Sequence, residues 1–267
     1  NGWEMEMEKE LEVATLAARR AGEVLKNWAE PLEEAWKGPI NPVTAADRES
    51  ERILIAALRE AFPDDAIVAE ESGAGAEGEA AGRRRWYVDP LDGTVNFSRG
   101  IPHWCVSVAL ADEEGVTRCA VVYAPFYGEL FTAVRGGGAR LNGRPIRVRD
   151  TRTLDRALAA SGFPYSFENP ERNNLREWTA VTPRLLSIRC LGAAALDLCQ
   201  VACGRLDVFW EMELERWDLA AGALICAEAG AVVTDLEGRP LTGPGTSVLA
   251  ANPHLHPQVL ALLQGRG

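Results

Sequence analysis

One stretch of twelve residues, Trp86-Tyr87-Val88-Asp89-Pro90-Leu91-Asp92-Gly93-Thr94-Val95-Asn96-Phe97, restricts the fold more than any other part of the chain. Its hydrophobic start predicts a strand over 86–89 that delivers Asp89 to its end. Pro90 has no amide hydrogen to give a sheet ladder, so regular pairing stops there. Asp92-Gly93-Thr94 then predicts a tight turn into a helix N-terminus. Such a start exposes backbone N–H groups and the positive end of the helix dipole, a ready cradle for phosphate. Two carboxylates three residues apart on one turn can converge on a hard cation. An isolated Asp-Gly is an ordinary turn; the strand, the proline, the second acid and the helix start set this one apart.

Two further acidic clusters stand far away in sequence. Glu70-Glu71 closes a strand predicted over 66–70, and taken alone it is a solvated strand end. Trp217-Asp218 opens a helix predicted over 217–228, where an aspartate has an ordinary use as an N-cap. If the three clusters meet, each like-charged pair near 4 Å costs roughly 4 kcal/mol at an effective dielectric of about 20. Protonation or divalent cations must offset that repulsion, and oxygen ligands at neutral pH favour Mg²⁺ or Mn²⁺.

The rest of the pattern is mixed. Leu11, Ala14, Leu16, Ala18, Val24 and Leu25 recur at helical spacing and predict a long amphipathic helix over 5–28. After a breaker over 39–42, Thr44 is the expected N-cap of a second helix, with Asp47 at the capping-box position. A Gly/Ala/Glu-rich loop covers 72–82. Strands are predicted over 104–111, 116–123, 129–134, 158–161, 185–189, 206–210, 231–234 and 247–250. Helices are predicted over 171–181, 193–202 and 257–263. Helices and strands interleave without a flexible linker, which implies a layered mixed fold of two abutting halves. The division falls at 150: the half over 1–150 carries most candidate metal ligands, and the half over 151–267 supplies Asp218 and substrate contacts.

Composition removes several classes. With 28 Lys+Arg against 39 Asp+Glu the net charge is −11, and Arg83-Arg84-Arg85 is the one compact basic run, so direct nucleic-acid binding is not expected. The chain has 47% hydrophobic residues, which excludes disorder, and no apolar run approaches a membrane span. The acidic, amphipathic N-terminus lacks a signal-peptide pattern, and the cytoplasm is the expected location. Cys105, Cys119, Cys190, Cys199, Cys203 and Cys226 form no Cys-x-x-Cys pair and are expected to be buried thiols. His103, His254 and His256 show no His-x-x-x-His spacing, which argues against a zinc or Ser-His-Asp enzyme.

Asp89-Pro90-Leu91-Asp92-Gly93-Thr94 resembles the Asp-Pro-hydrophobic-Asp-Gly-Thr signature of the inositol monophosphatase family, Mg²⁺-dependent and lithium-sensitive phosphatases. Glu70-Glu71-Ser72 is similar to the family's upstream motif, and Trp217-Asp218-Leu219-Ala220-Ala221-Gly222 to its downstream one. Val43-Thr44-Ala45-Ala46-Asp47 resembles its Val-Thr-x-x-Asp segment. The four occur in the family's order and cover nearly the whole chain. Five fixed positions in the first motif alone arise by chance on the order of one time in a million.

The resemblance implies an α+β fold of the sugar-phosphatase type, a layered αβαβα sandwich with mixed sheets and helices between and outside. It implies two or three Mg²⁺ ions, with Mn²⁺ as a substitute. Glu70, Asp89 and the carbonyl of Leu91 would hold one ion, and Asp89, Asp92 and Asp218 a second. Glu70 would also reach a third, weaker ion. A water near Glu70 and Thr94 would be the nucleophile, with Asp47 orienting the Thr94 hydroxyl, so that Glu70, Thr94 and Asp47 are the catalytic set. Asp92, Gly93, Thr94, Ala194 and Glu211 would contact substrate, the backbone of Gly93 and Thr94 gripping the phosphate. The chain departs from the family pattern at Asn41, Ala69 and Ala193, none of them a principal ligand. Val95-Asn96-Phe97 resembles the inositol phosphatase version, and Ser161-Gly162-Phe163-Pro164-Tyr165 is similar to bacterial members.

The implied reaction is hydrolysis of a small sugar or polyol phosphate, with inositol 1-phosphate first. Fructose 1,6-bisphosphate, histidinol phosphate and 3′-phosphoadenosine 5′-phosphate are the alternative substrates, and a homodimer is the implied assembly. A different class of reading is a protein-binding regulator of transcription or ribosome assembly. The four acids Glu70, Asp89, Asp92 and Asp218 favour the enzyme, since nothing obliges a binding module to keep mutually repelling carboxylates.

Overall fold

Two mixed β-sheets divide the molecule into layers. The computed structural model describes residues 7–29, 35–36, 42–72, 82–164, 169, 172–241 and 246–265. A short antiparallel pair, β1 (Ala35–Trp36) with β2 (Pro42–Val43), precedes the main sheets. The larger sheet has seven strands in sequence order: β3 (Ala66–Ala69), β4 (Arg85–Asp92), β5 (Cys105–Ala111), β6 (Thr117–Ala124), β7 (Glu129–Val134), β8 (Gly138–Leu141) and β9 (Arg144–Pro145). Only β3 and β4 pair in parallel; the rest is an antiparallel meander. The smaller sheet is built from β10 (Leu158–Ser161), β11 (Ser187–Arg189), β12 (Val208–Leu214), β13 (Val232–Thr234) and β14 (Thr246–Ala251), in the order β11-β10-β12-β14-β13.

Helices occupy three layers around these sheets, which makes the αβαβα sandwich. On one face of the large sheet lie α1 (Glu8–Lys26) and α2 (Ala45–Ala61), packed on Trp86, Val88, Val106, Val108 and Leu110. The short α3 (Thr94–Ser98) follows β4. Beyond the small sheet lie α4 (Leu175–Val181) and α7 (His256–Leu263), over Trp210, Leu249 and Ala251. Between the sheets, α5 (Ala194–Ala202) and α6 (Arg216–Glu228) meet Tyr87 and Ala109 from one side and Phe209 and Ala250 from the other. Helices therefore cover both faces of β4 and β5, and every residue of both strands is buried. All nine residues of α5 are buried as well. Gly222 lets α6 approach it: a Cβ there would fall 2.7 Å from Leu198 side-chain carbons.

Strands predicted over 129–134 and 158–161 fall on those residues. Thr44 caps α2, and the reciprocal bond from Thr44 N–H to Asp47 completes the capping box. Other expectations need correction. The strand expected to stop at 89 runs to Asp92, because a register shift between Asp89 and Asp92 carries the ladder past Pro90. The strand expected over 206–210 runs from Val208 through Leu214, its polar second half sharing a similar irregularity between Glu211 and Leu214. The helix expected from 171 begins at Leu175, after Asn174 takes a left-handed φ of 63°. The strands β8 and β9, on either side of Asn142-Gly143, were not among the expected strands. Cys190 is exposed rather than buried, on the loop after β11, and Cys203 is half-buried just past α5. Residues 1–6, 37–41, 73–81 and Tyr165 lie outside the described residues, which leaves there the start of the first predicted helix, most of the 39–42 breaker, Asn41 and most of the 72–82 loop.

Candidate active site

The strand end that Pro90 marks is held from three directions. Asp89 is 2% exposed, and its Oδ1 accepts the Leu91 N–H at 2.9 Å. The Pro90 carbonyl accepts the Ser50 hydroxyl from α2 at 2.7 Å. Asp92 reaches across 102 residues to the start of α5, where it accepts from the N–H of Ala194 at 3.1 Å and of Ala195 at 2.8 Å. Ala193, the N-cap of α5, has no side chain to do this, so Asp92 satisfies the helix start and faces the positive end of its dipole. The Cys105 thiol also points at Asp92, at 3.5 Å.

Gly93 is required by both conformation and space. Its φ is 93°, and a Cβ there would stand 2.9 Å from the His103 carbonyl oxygen. That turn puts Thr94 at the head of α3, with its hydroxyl 2.9 Å from Asp47 Oδ1 and 3.1 Å from the Leu91 carbonyl. One hydrogen serves one acceptor best, and the shorter contact to a carboxylate is the stronger. Asp47 is fully buried, and its other oxygen is fixed by the N–H and hydroxyl of Thr44.

Glu70, Asp218 and Glu211 complete an acidic cluster with these residues. Glu70 follows β3, its N–H bonded to the Val88 carbonyl at 3.1 Å. Asp218 occupies the third position of α6, where Glu215 is the N-cap, so its role in the helix is the reciprocal half of a capping box rather than the N-cap itself. Its Oδ2 takes the Glu215 N–H at 2.7 Å. Glu211 rises from β12, and a side chain at Gly162 would collide with its carboxylate. Glu211, Asp89 Oδ2 and Asp218 Oδ1 have no hydrogen-bond partner among the described residues.

Burial raises the pKa of Asp89 well above its usual value, and the charges of Glu70, Asp92 and Asp218 raise it further. Burial pushes Asp92 up to about 6, with Asp197 adding to the shift and Cys105 and the α5 amides opposing it. Asp218 is raised by burial, then by Glu70 and Asp92. Glu211 is raised by burial, then by Asp197, Asp92 and Asp218. The charged groups that act most strongly on Asp89, Asp218 and Glu211 are thus all anions. Three clusters separated by up to about 150 residues of chain do meet.

Among the described residues no three His, Cys, Asp or Glu side chains already close on one point as a metal cage. The backbone bonds explain the opening, since one or both oxygens of Asp89, Asp92 and Asp218 are turned to amides. The donor set still fits hard divalent cations: carboxylate oxygens of Asp89 and Asp218 without a hydrogen bond among the described residues, and acids that repel one another. The Leu91 carbonyl accepts from Thr94, and a carbonyl has a second lone pair to offer.

Three residues beside the site were given no role there by the sequence reading. His103 Nε2 meets Asp197 Oδ1 at 2.8 Å, and Asp197 sits on α5 at 1% exposure beside Asp92 and Glu211. Asn96 gives its amide to the carbonyls of His103 and Leu191, tying the loop after α3 to the approach of α5. The available signal was Asp197 itself, one charge inside the apolar run Gly192 to Ala202.

The inositol monophosphatase family profile matches residues 6–266 of the chain. The chain belongs to the inositol monophosphatase family. Among curated relatives it is 40% identical to the inositol-1-monophosphatase of Synechocystis over 251 residues, which cover 93% of this chain and 86% of that protein. It is 39% identical over 260 residues to the Vibrio cholerae protein named Nus factor SuhB, covering 95% and 94% of the two chains. The solved inositol monophosphatase of Anabaena superposes with a TM-score of 0.87 at 38% identity, over 97% of each chain. The layered sandwich is thus the fold of a phosphatase family that works with metal ions.

Proposed function

We propose that this chain hydrolyses a phosphate monoester of a small polyol, with inositol 1-phosphate as the leading substrate and Mg²⁺ as the cofactor. The observation that carries the reading is the convergence of Glu70, Asp89, Asp92 and Asp218, whose charges raise one another's pKa values, directly beside the helix start at Gly93 and Thr94. Glu70, Asp89, Asp92, Asp218 and the Leu91 carbonyl are the groups that would hold the cations. Bound there, divalent cations supply charge for the phosphate and activation for an attacking water.

The chain's own residues do the positioning. The Thr94 hydroxyl hydrogen is committed to Asp47, which leaves the Thr94 oxygen lone pairs to accept a hydrogen bond from a water and orient it. Thr44 fixes Asp47 and so fixes that direction. Glu211, without a hydrogen-bond partner among the described residues, is the group available to a substrate hydroxyl, and the Ala194 N–H at the start of α5 would be a second contact. Asp92 spends its carboxylate on the same helix start, so substrate hydroxyls and Asp92 compete for the α5 amides.

The test is a phosphate-release panel over inositol 1-phosphate, fructose 1,6-bisphosphate, histidinol phosphate and 3′-phosphoadenosine 5′-phosphate. It is run in Mg²⁺, in Mg²⁺ with lithium, and in chelator. Release from inositol 1-phosphate that stops in chelator and falls with lithium is the expected outcome. Release from 3′-phosphoadenosine 5′-phosphate alone changes the substrate, and no release from any of the four in Mg²⁺ or Mn²⁺ overturns the proposal. The implied cytoplasmic homodimer belongs to the same proposal; sedimentation of the purified chain tests the assembly.

A further inference from the structure

The described residues contain two buried arginines, Arg85 at 9% exposure and Arg216 at 8%, and neither has a carboxylate partner. This is unusual on physical grounds, because buried charges are ordinarily paired, and it is more so in a chain of net charge −11. Elsewhere the protein pairs its partly covered arginines readily: Arg84 with Glu10 and Asp65, Arg118 with Asp112, and Arg205 with Glu129. Arg85 and Arg216 instead bond only backbone carbonyls, Arg85 those of Arg83 and Glu113, and Arg216 that of Gly115.

Both guanidiniums line one cavity of about 760 Å³, and Arg135 joins them from the rim with a single bond to the Thr117 carbonyl. No side-chain nitrogen of Arg85 or Arg216 is both fully buried and without a hydrogen bond. Arg216 lies over the Tyr87 ring at 5.4 Å, so its plane is held. The opposite wall is apolar, formed by Leu219, Leu224, Val233 and Leu241. Glu114 is the one acid on the lining; it is exposed and not within ion-pair distance of the three arginines. The cavity shares β4 and α6 with the acidic cluster, yet none of Glu70, Asp89, Asp92, Glu211 and Asp218 lines it.

We infer that this cavity is a binding site for an organic anion, a phosphate or carboxylate head on an apolar body. The three guanidiniums supply forked donors for the head, and the leucine and valine wall covers the body. A volume of this size matches sites for small organic ligands. Arg85 and Tyr87 stand four and two residues before Asp89 on β4, and Arg216 stands two before Asp218 on α6, so the ligand would rest on the elements that carry the acids. The site does not depend on the proposed phosphatase reading, and its test works without a divalent ion.

The probe is 1-anilinonaphthalene-8-sulfonate, an anion on an apolar double ring, titrated by fluorescence against the whole chain in chelator. One saturable site is expected, about tenfold weaker in Arg135→Gln and in Arg216→Gln, each losing roughly one charge-assisted hydrogen bond. Asp218→Asn should bind the probe as the unaltered chain does, which separates this cavity from the acidic cluster. Displacement by phenylphosphonate identifies a phosphate-type ligand, and displacement by benzoate a carboxylate. Unchanged binding in Arg135→Gln and Arg216→Gln, loss of binding in Asp218→Asn, or displacement by neither competitor overturns the inference. Arg135 is exposed and holds one backbone carbonyl, so Arg135→Gln decides the matter even where Arg216→Gln fails to fold.

Discussion

Asp112 and Asp235 on one side, and Asp89 and Asp92 on the other, show two ways of placing a carboxylate in the same protein. At Asp112, burial raises the pKa, but the Val116 amide and the Arg118 guanidinium outweigh it and leave the group lowered. At Asp235, burial is likewise overcome by the Arg239 amide and guanidinium. Each of these acids organises a turn and carries its own counter-charge. Asp89 and Asp92 are more deeply buried, receive backbone amides and, at Asp92, the Cys105 thiol, and sit among further acids. The chain thus neutralises Asp112 and Asp235 with arginine, and among the described residues none pairs with Asp89 or Asp92. A cluster kept at that energetic disadvantage is understood as a site whose cations come from outside.

The largest effect tests the cluster directly. Asp89→Asn keeps the shape and removes the charge at its centre. Phosphate release in Mg²⁺ should fall about a thousandfold or more, roughly 4 kcal/mol of transition-state stabilisation. In chelator the same variant should melt higher than the parent chain, because one repelling charge is gone. Equal rates in the two proteins would remove Asp89 from the chemistry, whatever the melting data show.

The next effect sharpens the contrast through pH. Asp92 has a folded pKa of about 6 against an ordinary 3.8, so in the absence of metal its contribution is fully present below about 4. That contribution is lost as pH rises from about 4 to about 6. Asp112 has the opposite sign: its folded pKa is lowered, so its contribution is present above the unfolded value and lost as pH falls below it. Urea unfolding in chelator should therefore show stability falling between about pH 4 and 6, and added Mg²⁺ should restore it at the upper end. A metal-free curve that rises across that window, or one that Mg²⁺ leaves unmoved at pH 7, would break the comparison.

How much of this was legible beforehand depended on whether a residue acts within its own segment or across the fold. Thr44 and Asp47 form a capping box three residues long, and the pattern could be read locally. The strand at 129–134 is a short, largely apolar run that follows a turn, and its ends could be read from that local composition. Asp92 on the α5 amides, Asp197 on His103 and Arg216 over Tyr87 are contacts across about 100 residues or more, and no local period encodes them. The convergence of Glu70, Asp89 and Asp218 became an expectation only through the family resemblance. Composition and spacing had left each acid with an ordinary alternative, a strand end, a turn or a cap, and those roles are real in the structure. Asp218 both completes the α6 capping box and faces the cluster. Strands β4 and β12 were misjudged for a related reason: each carries an irregularity beside its acids, at Asp89 to Asp92 and at Glu211 to Leu214. Such bulges re-aim side chains and hide the alternation from which strand length is read.

The smallest effect lies at the rim. Asp112 accepts the amides of Glu114 and Val116 at 3.0 and 2.8 Å and pairs with Arg118, closing the turn between β5 and β6. Asp112→Asn keeps one amide acceptor and loses the ion pair, which is partly open to solvent and worth about 1 kcal/mol at most. Phosphate release should stay unchanged, since Asp112 touches none of the cluster. That turn also carries the Glu113 and Gly115 carbonyls that hold Arg85 and Arg216, so sulfonate-probe affinity should fall two- to threefold as the arginines lose their fixed acceptors. A variant that weakened catalysis as much as it weakened probe binding would show that rim and cluster act as one unit, and the separation drawn between them would fail.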